Sequence, residues 1–310
     1  MTNIRLMVPC CALFWAVAQD RPSIAADTFT VATYNLENYL DEPAAHRRPK
    51  SEAAKEKIRE NIRALKPDVL ALQEMGSTNA LLELRASLKS EGLDYPYWEH
   101  VAAFDTNIHV AVLSRLPFAA RRPHTREGFL LNGRRFSVSR GFAEVDVQVS
   151  ASYKFTLLAA HLKSRREVPE ADEAELRQQE AVVLREIIDA RLQANPNLNL
   201  IVVGDFNDLK DSGPVKAIIG RGRSALIDTR PAERNGDDSN ALNGHTAPRN
   251  VTWTYYFAKD DTYSRIDYIL LSHGMAREWR TNGAYVFACP NWGVASDHRP
   301  VIASFYAEDK

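Results

Sequence analysis

The sequence predicts a layered α/β domain in which buried strands alternate with amphipathic helices. Short apolar runs typical of buried strands recur along the chain, and longer segments carry apolar residues at helical spacing. The chain has 310 residues, of which 45% are hydrophobic and 25% charged, an ordinary composition for a globular protein. This length allows one large domain or two small ones, and neither an internal repeat nor a low-complexity linker divides it. Pattern alone therefore favours a layered α/β fold with mixed strands.

The first predicted elements form a strand, helix, strand, helix unit. Ser51 suits the N-cap of a helix, Ile58 and Ile62 fall on one helical face, and Pro67 ends the helix. The predicted elements are a strand over Phe29–Tyr34, a helix capped by Ser51 that reaches Leu65, a strand over Asp68–Gln73 and a helix over Thr78–Lys89. This alternation is typical of layered α/β proteins.

The remaining predicted elements are mostly strands, with one long polar helix among them. Strands are predicted over Tyr97–Ala103, His109–Ser114, Phe142–Val149, Lys154–Ala160, Asn199–Gly204, Tyr268–Leu271 and Val301–Phe305. The helix is predicted from Glu170 to about Gln193, with an inner face of Leu176, Val183, Leu184, Ile187 and Ile188. The segment Arg230–Asn250 is rich in Asn, Asp, Gly and Pro, and we expect it to be a surface loop.

The N-terminus is typical of a secretory signal peptide. Arg5 precedes the apolar stretch Leu6–Ala18, which is too short to span a bilayer comfortably, and cleavage is expected near Ala18 or Ala26. An N-terminal membrane anchor or a buried helix is the alternative. We expect a signal peptide over residues 1–26, one domain over residues 27–310, no transmembrane segment in the mature chain, and an exported protein that is periplasmic or extracellular.

Cysteine usage follows from that expectation. Cys10 and Cys11 fall inside the predicted signal peptide, which leaves Cys289 alone and rules out an intrachain disulfide in the mature chain. We expect Cys289 to be a small packed residue rather than a nucleophile.

The net charge restricts the class of nucleic-acid partner. It is −1 at pH 7, and removal of residues 1–18, whose only charged residue is Arg5, makes it −2. A coat protein that binds nucleic acid regardless of sequence needs a strongly basic face, so this class is excluded. The net charge does not exclude an enzyme that contacts only a few phosphates.

Six short polar motifs occur at the ends of apolar runs or next to them. They are Asn35-Leu36-Glu37-Asn38, Leu72-Gln73-Glu74, His161-Leu162-Lys163-Ser164, Gly204-Asp205-Phe206-Asn207, Arg265-Ile266-Asp267-Tyr268 and Ser296-Asp297-His298. Such positions bring carboxylate, amide and imidazole groups to the edge where a sheet opens to solvent. Carboxylates and amides are hard oxygen ligands suited to Mg²⁺, which shares its shell with water and phosphate oxygens. The motifs therefore indicate a metal-assisted phosphoester hydrolase.

With these motifs in this order from about Phe29 to Phe305, the chain resembles the endonuclease/exonuclease/phosphatase superfamily, which has the DNase I-like fold. The resemblance implies a four-layer α/β/β/α sandwich: two packed mixed sheets, made of two similar halves, with helices outside.

The resemblance also implies a metal site. Glu74 would be the Mg²⁺ ligand, with Asn35 supporting the metal or its waters and Asp297 beside the metal. Mn²⁺ and Ca²⁺ are alternative ions, and the number of metals, one or two, stays open. Asp205 and Asn207 would orient the attacking water and contact the phosphate or a second metal. The sequence pattern alone allows another interpretation. In it Asn35 is a turn residue, and Asp205 and Asn207 form a strand-to-turn junction whose side chains satisfy local backbone groups.

Two histidines complete the implied catalytic set. His298 can take a proton from water or stabilise a pentacovalent phosphate, and Asp267 would fix its tautomer. His161 would bind the phosphate or protonate the leaving oxygen, although a lone histidine at a strand end is often a hydrogen-bonded core residue. Asp205 is an alternative general base.

Substrate contacts are implied for two further residues. Arg140 opens a strand at a place where related nucleases contact backbone phosphate, and Asn107 matches a polar position of sphingomyelinase-like members. Ile108 and His109, however, replace the small glycines common there. A basic segment is expected to form either a loop that tracks nucleic acid or a solvated face, and it contains Arg121, Arg122, Arg126, Arg134 and Arg135.

These observations favour an exported, Mg²⁺-dependent, endonuclease-like phosphodiesterase that cleaves nucleic acid, with no stable protein partner implied. The alternative is a sphingomyelinase- or inositol-phosphatase-like hydrolase, for which a protruding aromatic hairpin is expected; before Ser296 the sequence offers only Trp292. A catalytically inactive binding module is disfavoured because the motif set is intact.

Overall fold

The computed structural model describes residues 28–44, 47–233, 252–280 and 283–310. The predicted signal peptide, with Cys10 and Cys11, lies outside the described residues, as does most of the predicted loop Arg230–Asn250. Cys289 is a buried free cysteine, which confirms the prediction of a packed residue.

Strands and helices alternate as the sequence predicts. In chain order the strands are β1 (Thr28–Tyr39), β2 (Val69–Met75), β3 (Tyr97–Val101), β4 (His109–Ser114), β5 (Phe118–Arg121), β6 (Gly128–Leu131), β7 (Arg134–Ser137), β8 (Phe142–Gln148), β9 (Lys154–His161), β10 (Leu200–Asp205), β11 (Ile227–Asp228), β12 (Ala232–Glu233), β13 (Tyr255–Phe257), β14 (Thr262–Ser264), β15 (Asp267–Leu271), β16 (Tyr285–Val286) and β17 (Val301–Tyr306). The helices are α1 (Glu52–Leu65), α2 (Thr78–Ser90), α3 (Glu173–Ala194), α4 (Gly213–Ile219) and α5 (His273–Glu278).

Most of the strands belong to two large mixed sheets. Among the described residues, one sheet has the order β12-β16-β17-β1-β2-β4-β3 and the other the order β11-β15-β10-β9-β8-β5. In the first sheet, β1 pairs parallel with β2 and antiparallel with β17. In the second, β10 pairs parallel with β9 and antiparallel with β15. The centres of the two sheets therefore share the same local pattern.

Three apolar layers hold the sheets and helices together. Because successive strand residues point to opposite faces, Ala71 of β2 and Val203 of β10 pack between the sheets, whereas their neighbours Leu70 and Val202 face outward. α1 and α2 cover the outer face of the first sheet, and α3 and α4 that of the second. Each fully buried aliphatic side chain contributes about 1.5–3 kcal/mol. This is the four-layer α/β/β/α sandwich that the resemblance implied.

Local capping explains where two helices begin. The Ser51 side chain accepts a hydrogen bond from the Ala54 backbone N–H at 3.2 Å, which confirms the predicted N-cap of α1. α3 begins at Glu173, three residues later than predicted, because the Asp172 side chain caps the backbone N–H groups of Ala174 and Glu175.

The basic segment is not a single loop, contrary to one of the two interpretations. Arg121 ends β5 and Arg134 begins β7, and β7 forms a hairpin with β6. Arg122 is held by the carboxylates of Glu144 and Asp146. A guanidinium engaged by two carboxylates is not available to track a phosphate backbone.

Candidate active site

Strand register brings the predicted site residues to one edge of the sandwich. In the second sheet, His161 of β9 pairs with Asp205 of β10, and Asp205 pairs with Asp267 of β15. In the first sheet, Asn35 of β1 lies beside the β2 residue that precedes Glu74. Residues far apart in the chain are thus neighbours by backbone pairing alone.

The turn after β10 depends on a glycine and a left-handed asparagine. At Gly204, φ is +139°, and an added Cβ would lie 1.9 Å from the carbonyl oxygen of Ala160. Asn207 has φ of +54°; its backbone N–H donates to Asp205 Oδ1 at 2.8 Å, and its Nδ2 donates to the Leu162 carbonyl at 2.9 Å. The Asp205 and Asn207 side chains therefore satisfy nearby backbone groups, as expected for a strand-to-turn junction. The second carboxylate oxygen of Asp205, Oδ2, faces the site.

Asn35 connects the two sheets. Its Nδ2 donates to Asp205 Oδ2 at 2.9 Å, and its Oδ1 accepts the backbone N–H of Glu37 at 2.9 Å. Asn35 and Asp205 are both buried. Since a buried hydrogen bond to a carboxylate is strong, this contact fixes the position of Asp205 relative to β1.

His298 lies against three carboxylates. Its Nδ1 is 2.9 Å from Asp267 Oδ2, and its Nε2 is 3.7 Å from Asp205 Oδ2 and 3.9 Å from Asp297 Oδ1. The backbone N–H of Asp267 donates to Thr254 Oγ1 at 3.2 Å, which holds the start of β15. With Nδ1 occupied by Asp267, Nε2 is the ring nitrogen that can meet a substrate or water.

The backbone and ring of His298 are also supported. Its N–H donates to Ser296 Oγ at 3.0 Å, and Ser296 Oγ donates to the Asn35 carbonyl at 2.8 Å. The Tyr255 ring packs on the imidazole with centroids 4.7 Å apart. These contacts restrict the ring to one orientation.

His161 lies on the other side of Asp205. Its Nε2 is 3.6 Å from Asp205 Oδ2, and Nδ1 has no hydrogen-bond partner among the described residues. Burial, together with the positive charge of Arg140, lowers the pKa of His161 well below its usual value. His161 is therefore a neutral imidazole in this state of the protein.

Charge is distributed unevenly between His298 and Asp205. Burial opposes protonation of His298, but the carboxylates of Asp267 and Asp205 outweigh it and raise its pKa to about 10. Burial raises the pKa of Asp205 above its usual value, against the positive charge of His298. The carboxylates of Asp267 and Asp205 thus favour the protonated form of His298, and burial favours the protonated form of Asp205.

Two carboxylates lie at the mouth of the site. Glu74 Oε2 accepts from the backbone N–H of Asn38 at 3.0 Å and from Arg47 Nη1 at 3.3 Å. The pKa of Asp297 is raised to about 6 by burial and by the nearby charges of Glu37 and Glu74, against the opposing charge of His298. A cation placed among these carboxylates would relieve their repulsion.

The family follows from comparison of the whole chain. Residues 32–298 match the model of the Endonuclease/Exonuclease/phosphatase family. The chain belongs to the endonuclease/exonuclease/phosphatase family. Members of this family are typically phosphoester hydrolases and generally use divalent metals. No curated protein sequence matches the chain.

Solved structures share the family fold at low sequence identity. The human Nocturnin catalytic domain with bound sulfate is 17% identical, with a TM-score of 0.61 over 91% of this chain and 95% of that one. The Neisseria 3′ phosphatase NExo bound to a product DNA hairpin is 17% identical, with a TM-score of 0.57 over 89% and 99%. Truncated Caenorhabditis elegans TDP2 is 16% identical, with a TM-score of 0.56 over 90% and 98%. These similarities show the DNase I-like fold.

The donor chemistry of the site fits the divalent metal that the family implies. Glu74 Oε1 makes no hydrogen bond to the described residues, and Asp297 and Asn35 add further hard oxygen donors near it. A second group is also suitable: the ligand atoms of Asp205, Asp267 and His298 lie within 4.8 Å of one another and could hold a metal ion. The site therefore accommodates either one or two metals.

Arg140 and Asn107 are brought together by a residue that sequence reasoning missed. Asp105 Oδ2 accepts from Arg140 Nε at 3.3 Å, and Asp105 Oδ1 accepts from the Asn107 backbone N–H at 2.9 Å. Arg140 Nη1 also donates to the Leu162 carbonyl at 2.9 Å, the same carbonyl that Asn207 contacts. The buried Arg140 guanidinium thus connects the loop before β4 to the strand end that carries His161.

Two residues besides Asp105, namely Arg47 and Tyr255, also reach the site without a usable sequence signal. Arg47, which contacts Glu74, lies in an irregular loop, and so does Asp105. Tyr255 is part of the site wall, because its backbone bridges to His298 and its ring packs on the imidazole. Only tertiary packing places these side chains.

Proposed function

We propose that this chain is an Mg²⁺-dependent phosphodiesterase that cleaves nucleic acid. The observation that carries the proposal is His298, held by Asp267 at Nδ1 while Nε2 faces Asp205, in a site bordered by Glu74. An oriented imidazole, a carboxylate within one water of it, and a hard-oxygen metal site are the parts that phosphodiester hydrolysis requires.

Glu74, Asp297 and Asn35 would hold the metal ion. When bound, Mg²⁺ polarises a phosphoryl oxygen and offsets the negative charge that develops during attack. The remaining chemistry belongs to the side chains of this protein.

Water is the nucleophile, and the Asp205–His298 pair orients it. The 3.7 Å between Asp205 Oδ2 and His298 Nε2 allows a single water to hydrogen-bond to both. Asp205 accepts the water proton, since the positive charge that Asp267 stabilises on His298 makes the imidazole the poorer acceptor. As the water oxygen bonds to phosphorus, the bond from phosphorus to the leaving oxygen breaks, and the leaving oxygen takes a proton from solvent. His298 donates a charged hydrogen bond to the phosphate oxygens, and His161 donates a hydrogen bond to the phosphate or the leaving oxygen.

The same proposal places the protein outside the cytoplasm. It rests on the sequence of residues 1–26, where Arg5 precedes the apolar stretch Leu6–Ala18. The mass of the protein recovered from the periplasm or culture medium tests it: loss of 18 to 26 N-terminal residues is expected, and an intact N-terminus on the exported protein would contradict cleavage.

A lipid-directed hydrolase is the second candidate, and one observation favours it. The β13–β14 hairpin lies next to His298 and exposes the aromatic rings of Phe257 and Tyr263. Exposed aromatic residues beside a catalytic site can insert into a lipid interface, although they can equally stack on bases. Among the described residues, no helix is long and apolar enough to cross a membrane.

Nicking of supercoiled plasmid DNA by the purified protein tests the proposal. Nicking in the presence of Mg²⁺ is expected to disappear with EDTA and with His298→Ala, and to persist with His273→Ala, which alters an exposed histidine at the start of α5. No cleavage of DNA or RNA by a folded, Mg²⁺-binding protein would reject the nuclease assignment. Hydrolysis of phospholipid vesicles under those conditions would favour the second candidate.

A further inference from the structure

A cleft beside Glu74 is lined mainly by positive side chains. It has a volume of about 610 Å³, and its charged lining residues are Glu37, Arg47, Arg48, Lys50 and Arg166. We call it the basic cleft. Four of these five residues are cationic, so its charge contrasts with that of a chain whose net charge is −1.

Two of the cations have no carboxylate partner among the described residues. Lys50 Nζ contacts Glu37 Oε2 at 3.1 Å, and Arg47 is directed towards Glu74. Arg48 and Arg166 are exposed, and no carboxylate of the described residues lies within salt-bridge distance of either. An exposed guanidinium without a protein partner is available for a phosphate.

The first turn of α1 adds to this positive potential. Ser51 and Ala54 line the basic cleft, and Ser51 caps α1, a helix of 14 residues. The first turn of a helix has backbone N–H groups without intrahelical partners and carries the positive end of the helix dipole. Together with Arg48 and Arg166, this helix end favours an anion in the cleft.

The basic cleft adjoins the candidate site through residues that contact Glu74. One wall is the loop after β1, in which Arg47 contacts Glu74. The other wall is the loop after β9. In it Lys163, two residues beyond His161, donates from Nζ to the Arg166 carbonyl at 2.7 Å. The cleft is therefore bracketed by the segments that follow Asn35 and His161, one from each sheet.

We propose that the basic cleft is an anion subsite that binds a phosphate of the nucleic-acid strand next to the phosphate being cleaved. The inference rests on the proposed phosphodiesterase function and adds to it a binding site for a second phosphate of the substrate. A phospholipid whose only phosphate lies at the scissile bond has no second anion for Arg48 and Arg166. A nucleic-acid strand has a phosphate on every nucleotide and fills both positions at once.

Binding without metal tests the subsite independently of catalysis. Fluorescence anisotropy of a labelled single-stranded oligonucleotide, titrated with the full chain in EDTA, gives Kd for Arg48→Gln, Arg166→Gln and the double variant. Each substitution is expected to weaken binding about tenfold at low salt. Each should also reduce the slope of log Kd against log salt by about 0.7. The matched control is Arg221→Gln, which removes an exposed arginine outside the cleft and should leave Kd and slope unchanged.

Turnover of two substrates then separates this inference from the proposed function. Bis(p-nitrophenyl) phosphate has one phosphate and an oligonucleotide has many, so the double variant should lower the ratio of their kcat/KM values, oligonucleotide over small diester, at least about tenfold. An unchanged ratio together with unchanged Kd would overturn the subsite while leaving the phosphodiesterase intact. Failure of the wild-type protein to cleave either substrate would instead reject the function. Loss of affinity for inositol hexakisphosphate but not for the oligonucleotide would reassign the cleft to small polyphosphates.

Discussion

Asn35 and Asp205 are 170 residues apart in the chain, and the Asn35 Nδ2 lies 2.9 Å from Asp205 Oδ2. The contact joins the end of β1 in one sheet to the end of β10 in the other. The catalytic edge is therefore a property of the sandwich rather than of either sheet. Displacement of one sheet relative to the other would separate Glu74, the proposed metal ligand, from His161 and Asp205.

The Asp267 carboxylate is expected to be essential because it fixes the tautomer of His298. In Asp267→Asn, the amide neither stabilises an imidazolium nor selects the same ring nitrogen as donor. The value of kcat for a phosphodiester should fall by about 10²–10⁴-fold. Steady-state kinetics measures the change, with Asp94→Asn as a control because Asp94 is exposed beyond α2, where it pairs only with the exposed Lys89 among the described residues. A loss of less than about fivefold would remove Asp267 from the mechanism.

Glu74 is expected to determine metal affinity. Replacing the carboxylate in Glu74→Gln removes a negative donor while keeping the hydrogen-bond acceptor for Asn38 and Arg47. The Mg²⁺ concentration for half-maximal activity should rise at least about tenfold. Titration of activity against Mg²⁺ checks this result. The exposed Glu186→Gln on α3 should leave the midpoint in place, and an unshifted midpoint in Glu74→Gln would place the metal elsewhere.

Gly204 cannot accept a side chain. In Gly204→Ala, the Cβ would lie 1.9 Å from the carbonyl oxygen of Ala160, at a φ of +139°. We expect the free energy of unfolding to fall by about 3 kcal/mol or more. Urea denaturation measures the loss against Gly133→Ala, where φ is also positive but the Cβ meets nothing within 4 Å, so that only about 1 kcal/mol is lost. Equal losses in the two variants would show that the close approach to β9 carries no cost.

Acid sensitivity should come in part from Glu144, which the guanidinium groups of Arg122 and Arg191 and the ring of His124 surround. Burial opposes its ionisation, but hydrogen bonds from His124, Arg191 and Arg122 outweigh burial and lower its pKa to about 2. The unfolded value is about 4.3. A depressed carboxyl pKa gives stability that is complete above the unfolded value and is lost as the pH falls from about 4.3 towards 2.

Glu144→Gln tests this pH dependence. At pH 7 the variant should be less stable than the wild type by about 3 kcal/mol, and the difference should shrink as the pH falls towards 2. Urea unfolding at a series of pH values gives the difference directly. If the same difference persisted at pH 7 and at pH 3, the stabilisation would not depend on ionisation of this carboxyl group.

The buried strands could be predicted because each carries an uninterrupted apolar run. The short strands β5, β6 and β7 could not be predicted in this way. Their residues are half-exposed, so no apolar run marks them, and only Asn132-Gly133 between β6 and β7, a recognised hairpin dipeptide, indicates a hairpin there. β1 continues to Tyr39, beyond the predicted end at Tyr34, because Glu37 and Asn38 adopt positive φ in an irregular extension that hydrophobic pattern does not reveal.

The site was predictable to the extent that strand ends carry it. The sequence placed His161 and Asp205 at strand ends and Asp267 beside a strand, but the register that brings the three together is seen only in the structure. Asp105 and Arg47 reach the site from irregular loops whose paths depend on packing. Spacing in the sequence gives no measure of such paths, so the salt bridge from Arg47 to Glu74 and the basic cleft behind it appear only in three dimensions.

β1 lies between β2, the next strand along the chain, and β17, the last strand of the described residues. While the protein is being translated, β1 emerges from the ribosome first, and its partner β17 emerges only after more than 250 further residues, together with His298. An unfinished chain has neither a completed first sheet nor the imidazole assigned to the chemistry. The proposed cleavage of nucleic acid therefore cannot begin on the ribosome, among the RNA molecules that surround a nascent chain.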